Sequence, residues 1–328
     1  MEQQLRVGIV GYGHLGKGVQ SAIRQNPDMT LVAIFSRRPL SAEDVGDASV
    51  LVLPMADAES YQDKIDVMIL CGGSAHDLPE QGPHFAQWFN TVDSFDTHAK
   101  IPEYHASVDA VAKKTAKTSL ISIGWDPGLF SLNRLFGEAI LPEGETYTFW
   151  GKGLSQGHSD AIRRVEGVQA GVQYTLPSEA AMEAVRQGLN PVLSTRDKHT
   201  RECYVVAAPG ADQAQIETTI KTMPNYFADY DTTVTFISED TLRREHAAMP
   251  HGGFVIRSGK TGAETTQIME YSLKLGSNPE FTSSVLVAYA RAACKMNALG
   301  LVGAQTAFDV APGWLSPKSA AELRKVLL

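Results

Sequence analysis

Three short stretches near the amino end carry residue types whose spacing suits phosphate binding. Gly11-Tyr12-Gly13-His14-Leu15-Gly16 fits G-x-G-x-x-G directly after an apolar run at residues 5–10, and it opens a helical stretch reaching about residue 25. In that setting the first glycine permits a tight turn and the second lets backbone approach a pyrophosphate. The third allows close packing of helix on strand, and the helix N-terminus faces the phosphate charge. About twenty residues on, an NAD site would place an acid for the ribose 2′-hydroxyl. This chain has Ser36-Arg37-Arg38 instead. Alone, the arginine pair could be a solvated basic turn. After the glycine turn it suits a 2′-phosphate, which an acid would repel, so the cofactor expected is NADP. Cys71-Gly72-Gly73-Ser74 ends a later strand at the sheet edge that meets ligand, and is expected to line the cofactor with backbone. A nucleophilic Cys71 would need a His/Asp partner, and none is placed nearby.

Four further stretches are dense in polar and aromatic residues: 92–98, 124–128, 150–160 and 249–253. The first two follow strands of the amino-terminal region, so Asp96 and Asp126 could point at the nicotinamide end. Ser94, Phe95, Ile123, Gly124, Trp125 and Pro127 join them as expected cofactor contacts. Each stretch has a plainer alternative. Asp126 before Pro127 can start a turn or cap a helix, Asp160 can cap residues 161–165, and His251 beside glycines can be a loop histidine. Together, beside a nucleotide fold, they suggest a polar pocket for a small, multiply charged substrate.

The elements that must hold these residues read as two architectures. Strands expected at residues 5–10, 31–35, 50–53, 66–71, 91–94 and 119–123 alternate with helices, including 83–89 and 102–114, which argues for a doubly wound parallel sheet. After Gly124 the strands at 147–150, 202–207, 232–237, 253–257 and 265–275 have few helices between them. That is an α+β region on a mixed or antiparallel sheet. Helices are expected at 279–299 and 316–327. The fold class is therefore α/β: a Rossmann-type sheet plus a second α+β domain. Residues 1–124 are expected to bind NADP, with 300–328 packing back on them, and 125–299 to bind substrate and form the dimer.

Composition bounds the rest. The chain has 328 residues, 43% hydrophobic and 20% charged, with a net charge of −8. That length suggests about two domains and a large core. A net acidic chain without a Lys/Arg-rich block is a poor nucleic-acid binder. No apolar run approaches the ~18 residues needed to span a bilayer. Residues 1–6 lead straight into a strand without the regions of a signal peptide, so a cytoplasmic protein is expected. Cys71, Cys203 and Cys294 are too few and scattered for a disulfide framework or a zinc knuckle, and no metal is expected.

The chain resembles the meso-diaminopimelate dehydrogenase family. The segments that carry the resemblance are GYGHLGKGV, IFSRR, VDSFDTH, GWDPGLFSLNR, TFWGKGLSQGHSDAIRR, GVQYTLPSE, TMPNYF, MPHGG and EYSLKL followed by NPEFT, spread over almost the whole length. The resemblance implies an NADP-dependent, reversible oxidative deamination of the D-centre of meso-2,6-diaminopimelate, in lysine biosynthesis, by a homodimer. It implies that Asp96, Trp125, Asp126, Trp150, Gln156 and Asp160 surround the reacting D-centre and that Gly157 also contacts substrate. Thr175, Arg201, His251 and Asn278 are implied to hold the distal L-centre, with Arg201 as carboxylate clamp. The general base stays open between Asp96, Asp126 and a bound water. A dihydrodipicolinate-reductase-like enzyme would carry an adjacent His-His pair, which none of the nine histidines forms. A non-catalytic NADP-binding sensor would not need the Trp/Asp pocket. A dehydrogenase for another D-amino acid would differ at the distal clamp.

Overall fold

The computed structural model describes residues 4–263 and 265–328. Residues 1–3, read above as leading straight into a strand, lie outside the described residues. The chain divides into two compact units, Met1–Leu132 with Pro279–Leu328, and Asn133–Asn278.

The first unit is built on a seven-stranded sheet of β1 (Leu5–Val10), β2 (Met29–Ser36), β3 (Leu51–Pro54), β4 (Val67–Leu70), β5 (Asn90–Asp93), β6 (Thr118–Leu120) and, from the carboxyl end of the chain, β14 (Gly303–Gln305). Their order is β14-β6-β5-β4-β1-β2-β3, and every neighbouring pair is parallel. Both faces are buried. In β4, Val67 and Ile69 enter one core and Met68 and Leu70 the other. Such two-sided burial explains why these strands read as continuous apolar runs rather than alternating ones. The strand order reverses between β1 and β4, so the glycine turn after β1 and the Cys71–Ser74 turn after β4 open side by side at the ligand edge.

One assignment differs from the sequence reading. The helix Asn278–Ala298, expected with the second region, packs almost wholly into the first unit. Its Val285, Leu286, Val287, Tyr289, Ala293 and Met296 share a core with Val7, Ile9, Val19 and Ile69. Its buried Arg291 grips Asp28 at 2.6 and 2.8 Å, and also donates to Asn26 and to the Leu315 carbonyl. The apolar period announces a buried face but not which core that face covers.

The second unit holds two sheets. β8 (Gly153–Leu154), β9 (Val168–Pro177), β10 (His199–Ala207) and β11 (Asp231–Phe236) form a mixed sheet ordered β11-β10-β9-β8. β7 (Gly144–Trp150), β12 (His251–Lys260) and β13 (Thr266–Leu275) form an antiparallel one ordered β13-β12-β7. The expectation of few helices here fails. Gln156–Arg163, Glu179–Arg186, Thr195–Lys198, Gln213–Lys221 and Glu239–Glu245 are helical, each opened by a Ser or Asp whose side chain accepts a first-turn N–H. Runs of four to nine residues are too short for an amphipathic period to declare itself, so the caps were the only signal. β9, β8 and β14 were also not foreseen as strands. Among the described residues no helix is long and apolar enough to cross a membrane.

Candidate functional site

On the first unit the glycine turn has the shape its residue types suggest. Gly11 takes φ +87°, which L-residues rarely adopt, and its N–H donates to the Phe35 carbonyl of β2 at 2.9 Å. A Cβ on Gly16 would overlap the Gly11 carbonyl oxygen, whereas one on Gly13 would meet no protein atom within 4 Å. The third glycine is therefore needed by the fold itself. The second keeps open the space in front of helix His14–Arg24. That helix has no side-chain cap and no acid in its first turn, so its first N–H groups and the positive end of its dipole are left for an external anion. Tyr12 contributes backbone only: its ring is buried and its hydroxyl bonds Gln20. Leu15 packs against the core, and His14 is exposed.

Arg37 and Arg38 follow β2 with exposed side chains. Arg38 Nη2 lies 3.4 Å from the Tyr12 carbonyl, which places this guanidinium against the glycine turn, and its N–H donates to Ser36 Oγ. Arg37 pairs with Asp77 at 2.8 Å, and the other oxygen of Asp77 accepts from Gly73 N–H at 2.8 Å. Asp77 thus ties the arginine after β2 to the turn after β4. Nothing in the local sequence signals this bond across forty residues. Ser74 Oγ in turn accepts from Asp96 N–H at 2.9 Å and Thr97 N–H at 3.2 Å, joining the β4 and β5 turns. Burial pushes the Cys71 thiol far above its ordinary range, which fits a backbone role and not a nucleophile.

Of the remaining residues expected at the cofactor, Phe95 and Ile123 direct their side chains into the core. They can offer only main chain. Asp96 is exposed, Ser94, Asp126 and Pro127 are half-buried, and Trp125 sits edge-on to Phe130 with centroids 5.2 Å apart. These segments, with Gly124, all lie at the carboxyl edge of the parallel sheet.

On the second unit, β9 and β10 pair Thr175 directly with Arg201. Arg201 is 7% exposed, donates to the Thr175 hydroxyl, and stacks its guanidinium 3.9 Å from the centroid of the Tyr230 ring. Its Nε is buried without a partner, as is Oε1 of the neighbouring Gln173. Among the described residues no carboxylate pairs with it. Burial lowers its pKa, so the site holds a cation at a cost that an incoming anion would offset. Burial, and next to it the Arg201 charge, brings His158 and His199 down to about 4, and both rings are neutral at pH 7.

His199 has a task that sequence reasoning missed. Its Nε2 accepts the Trp150 N–H at 2.8 Å, and its ring stacks on the Trp150 indole at 5.3 Å. A lone histidine in a strand offers no local sign of this. His251, Gln156 and Asn278 converge on the same unit. β8 pairs Gly153 with Thr175, and the His251 ring lies so close over Gly153 that a Cβ there would strike it. Leu154 N–H donates to the Pro250 carbonyl and Asn278 N–H to the Met249 carbonyl, both at 2.9 Å, while Gln156 Nε2 reaches Met249 Sδ at 3.1 Å. Thr175, Arg201, His251, Asn278 and Gln156 are thus gathered by one short strand and the 249–251 turn.

Asp160 is not the helix cap its position allowed. The helix starts at Gln156 and is capped by Ser155, which leaves Asp160 exposed in mid-helix and paired with Arg163. Gly157 is exposed, with no neighbour within 4 Å of a would-be Cβ. Among the described residues no group of three or more His, Cys, Asp or Glu could hold a metal ion.

A parallel sheet with a glycine turn at its switch point, joined to a mixed-sheet unit, is the architecture of a two-domain Rossmann-type dehydrogenase. Residues 124–277 match the family model described as diaminopimelic acid dehydrogenase C-terminal domain. The chain is 66% identical over 325 residues, 99% of each chain, to the meso-diaminopimelate D-dehydrogenase of Lysinibacillus sphaericus. A crystal structure of a six-substitution meso-diaminopimelate dehydrogenase variant from Clostridium tetani, solved with DAP, is 55% identical and superposes with a TM-score of 0.93, covering 99% of this chain and 100% of that one. An engineered D-amino acid dehydrogenase bound to NADP+ is 46% identical with a TM-score of 0.86 at the same coverage. The chain belongs to the meso-diaminopimelate D-dehydrogenase family.

Proposed function

We propose that the protein catalyses the reversible reaction of meso-2,6-diaminopimelate, water and NADP+ to L-2-amino-6-oxopimelate, ammonia and NADPH, acting at the D-centre. The observation that carries this reading is the buried Arg201 guanidinium, left without a carboxylate partner beside Thr175 in a chain of this family. The six side chains replaced in the Clostridium tetani variant are a glutamine, a threonine, an arginine, a proline, a histidine and an asparagine. The same types stand here at the same spacing, as Gln156, Thr175, Arg201, Pro250, His251 and Asn278. That correspondence supports assigning five of them to substrate, as the resemblance implied.

In this reading the helix N-terminus behind Gly13 takes the pyrophosphate, and Ser36, Arg37 and Arg38 take the 2′-phosphate. The open space at Gly13 and the uncapped first turn fit such a ligand. When bound, NADP+ supplies the hydride acceptor. Arg201 presents a planar fork to the distal carboxylate, with Thr175, His251 and Asn278 around the L-centre. Pinning the far end turns stereochemistry into position, so that only one centre presents its hydrogen. Asp96 and Asp126 bind the reacting amine, and one of them, or a water, removes its proton. Their charge also favours the developing iminium. Trp125 walls the reacting amine on the first unit, and the resemblance adds Trp150, Gln156, Gly157 and Asp160 to the substrate contacts.

The reading carries with it a role in lysine biosynthesis, a cytoplasmic location and a homodimer. Exposed Leu189, Val192 and Ile268 on the second unit support an apolar contact there, and light scattering on the purified protein tests it. The activity test follows NADPH formation at alkaline pH with meso-, L,L- and D,D-diaminopimelate and with D-lysine. Turnover confined to the meso isomer is expected. Turnover of D-lysine as well would mean a looser distal clamp. No turnover by protein that still binds NADP+ would favour a sensor and overturn the proposal.

A further inference from the structure

The ladder between β5 and β6 pairs Thr91 with Ser119 and Val92 with Leu120, and it stops there. Asp93 takes over where it stops. Its carbonyl accepts from Ile123 N–H at 2.8 Å, and its Oδ1 accepts two more backbone donors, Phe95 N–H at 2.9 Å and Ser122 N–H at 3.1 Å. Its Oδ2 accepts from the Tyr104 hydroxyl at 2.7 Å. The side chain is 1% exposed and has no cation partner among the described residues. Tyr104 is itself fixed: it stacks on Phe95 with centroids 4.2 Å apart, and Gly82 leaves the room its hydroxyl occupies.

This arrangement is costly. Burial raises the Asp93 carboxyl to about 6, and an apolar residue would satisfy the core without that penalty. Ser122 adds to the cost, with φ +57° in the left-handed region and a buried hydroxyl that has no partner. A non-glycine residue persists there only where its surroundings over-determine it. The bond from Ser122 N–H to Asp93 is one such restraint. Three residues beyond Asp93 stands Asp96, and three and four beyond Ser122 stand Trp125 and Asp126.

We infer that Asp93 is a positioning residue for the reaction. Its single Oδ1, shared by two backbone N–H groups, sets the turn carrying Asp96 against the turn carrying Trp125 and Asp126. The inference rests on the reading of Asp96 and Asp126 as the amine-binding carboxylates. What it adds is that their spacing is held by a buried acceptor that never touches substrate.

Three variants test it, read by kcat and KM for meso-diaminopimelate, NADP+ affinity by fluorescence, and Tm. Asp93→Asn keeps an oxygen for both N–H groups and turns its amide toward the Tyr104 oxygen. Asp93→Ala keeps neither contact. Asp93→Ser, which stays polar but cannot reach both donors, serves if the alanine variant does not fold. Misplacing reacting groups by about 1 Å costs roughly a hundredfold, so the Ala or Ser variant should lose about that in kcat while still binding NADP+. The Asn variant should recover most of the loss. A folded Ala or Ser variant with lowered Tm but wild-type kcat would overturn the inference. So would an Asn variant as defective as Ala, since charge and not acceptor geometry would then be at work. Failure of the wild-type protein to turn over meso-diaminopimelate would instead reject the functional reading beneath it.

Discussion

Replacing Arg201 by methionine separates recognition from folding. In the wild-type protein the guanidinium is buried, meets Thr175 and the face of Tyr230, and has one N–H unpartnered. Two charge-assisted hydrogen bonds to a substrate carboxylate, at about 1.5–3 kcal/mol each, sum to about 3–6 kcal/mol. At 1.4 kcal/mol per tenfold, kcat/KM for meso-diaminopimelate should fall about a hundred- to ten-thousand-fold. Stability should move the other way or not at all. Methionine removes an uncompensated buried charge, whose desolvation costs several kcal/mol, and gives up a hydroxyl contact and a cation–π contact of about 1 kcal/mol each. The assay pairs steady-state kinetics at varied meso-diaminopimelate with a Tm and an NADP+ titration on the same preparation. A joint fall in Tm, NADP+ affinity and turnover would show that Arg201 serves the fold. A loss of less than about tenfold in kcat/KM, with all else intact, would show that no bidentate carboxylate sits there.

Further outcomes follow from the first unit. Replacing Arg37 and Arg38 together should raise the KM for NADP+ about tenfold or more while barely changing that for NAD+; unchanged cofactor preference would reject the 2′-phosphate assignment. Gly13→Ala should keep its Tm yet bind NADP+ poorly, because the new methyl meets no protein atom and fills the space a pyrophosphate needs, whereas Gly16→Ala should lose Tm by collision with the Gly11 carbonyl. Equal Tm losses in thermal melts of the two would contradict this division. Asp28→Asn should cost about 3–5 kcal/mol in denaturant unfolding by leaving the buried Arg291 uncompensated. The hydrogen bond from Arg291 holds the Asp28 carboxyl below its usual value, so its folded pKa lies under the unfolded ~3.9. Its contribution is therefore complete above about pH 4 and is lost as pH falls through the folded value. The Asn variant should flatten that acid limb of stability against pH, and an unchanged limb would reject the pairing.

The parallel sheet and its switch point were legible because their signals are local. An apolar run, a glycine turn and a helical period lie within about twenty-five residues of each other, and the arginine pair follows the next strand. The residues proposed for the distal clamp were reached through resemblance, not through any period or spacing of their own. Thr175, Arg201, His251 and Asn278 lie in separate segments that meet only when β8, β9 and β10 pair.

What the sequence determined by itself was each residue's chemical capacity and the face on which a segment buries its apolar side chains. It could not say that the helix Asn278–Ala298 returns to the first core, because a buried face looks the same whichever core receives it. Nor could it show Asp77 joining Arg37 to Gly73, His199 accepting from Trp150, or Asp93 holding Phe95 and Ser122. Those bonds join groups from different strands and turns, and only tertiary packing brings donor to acceptor and removes the water that would otherwise satisfy both.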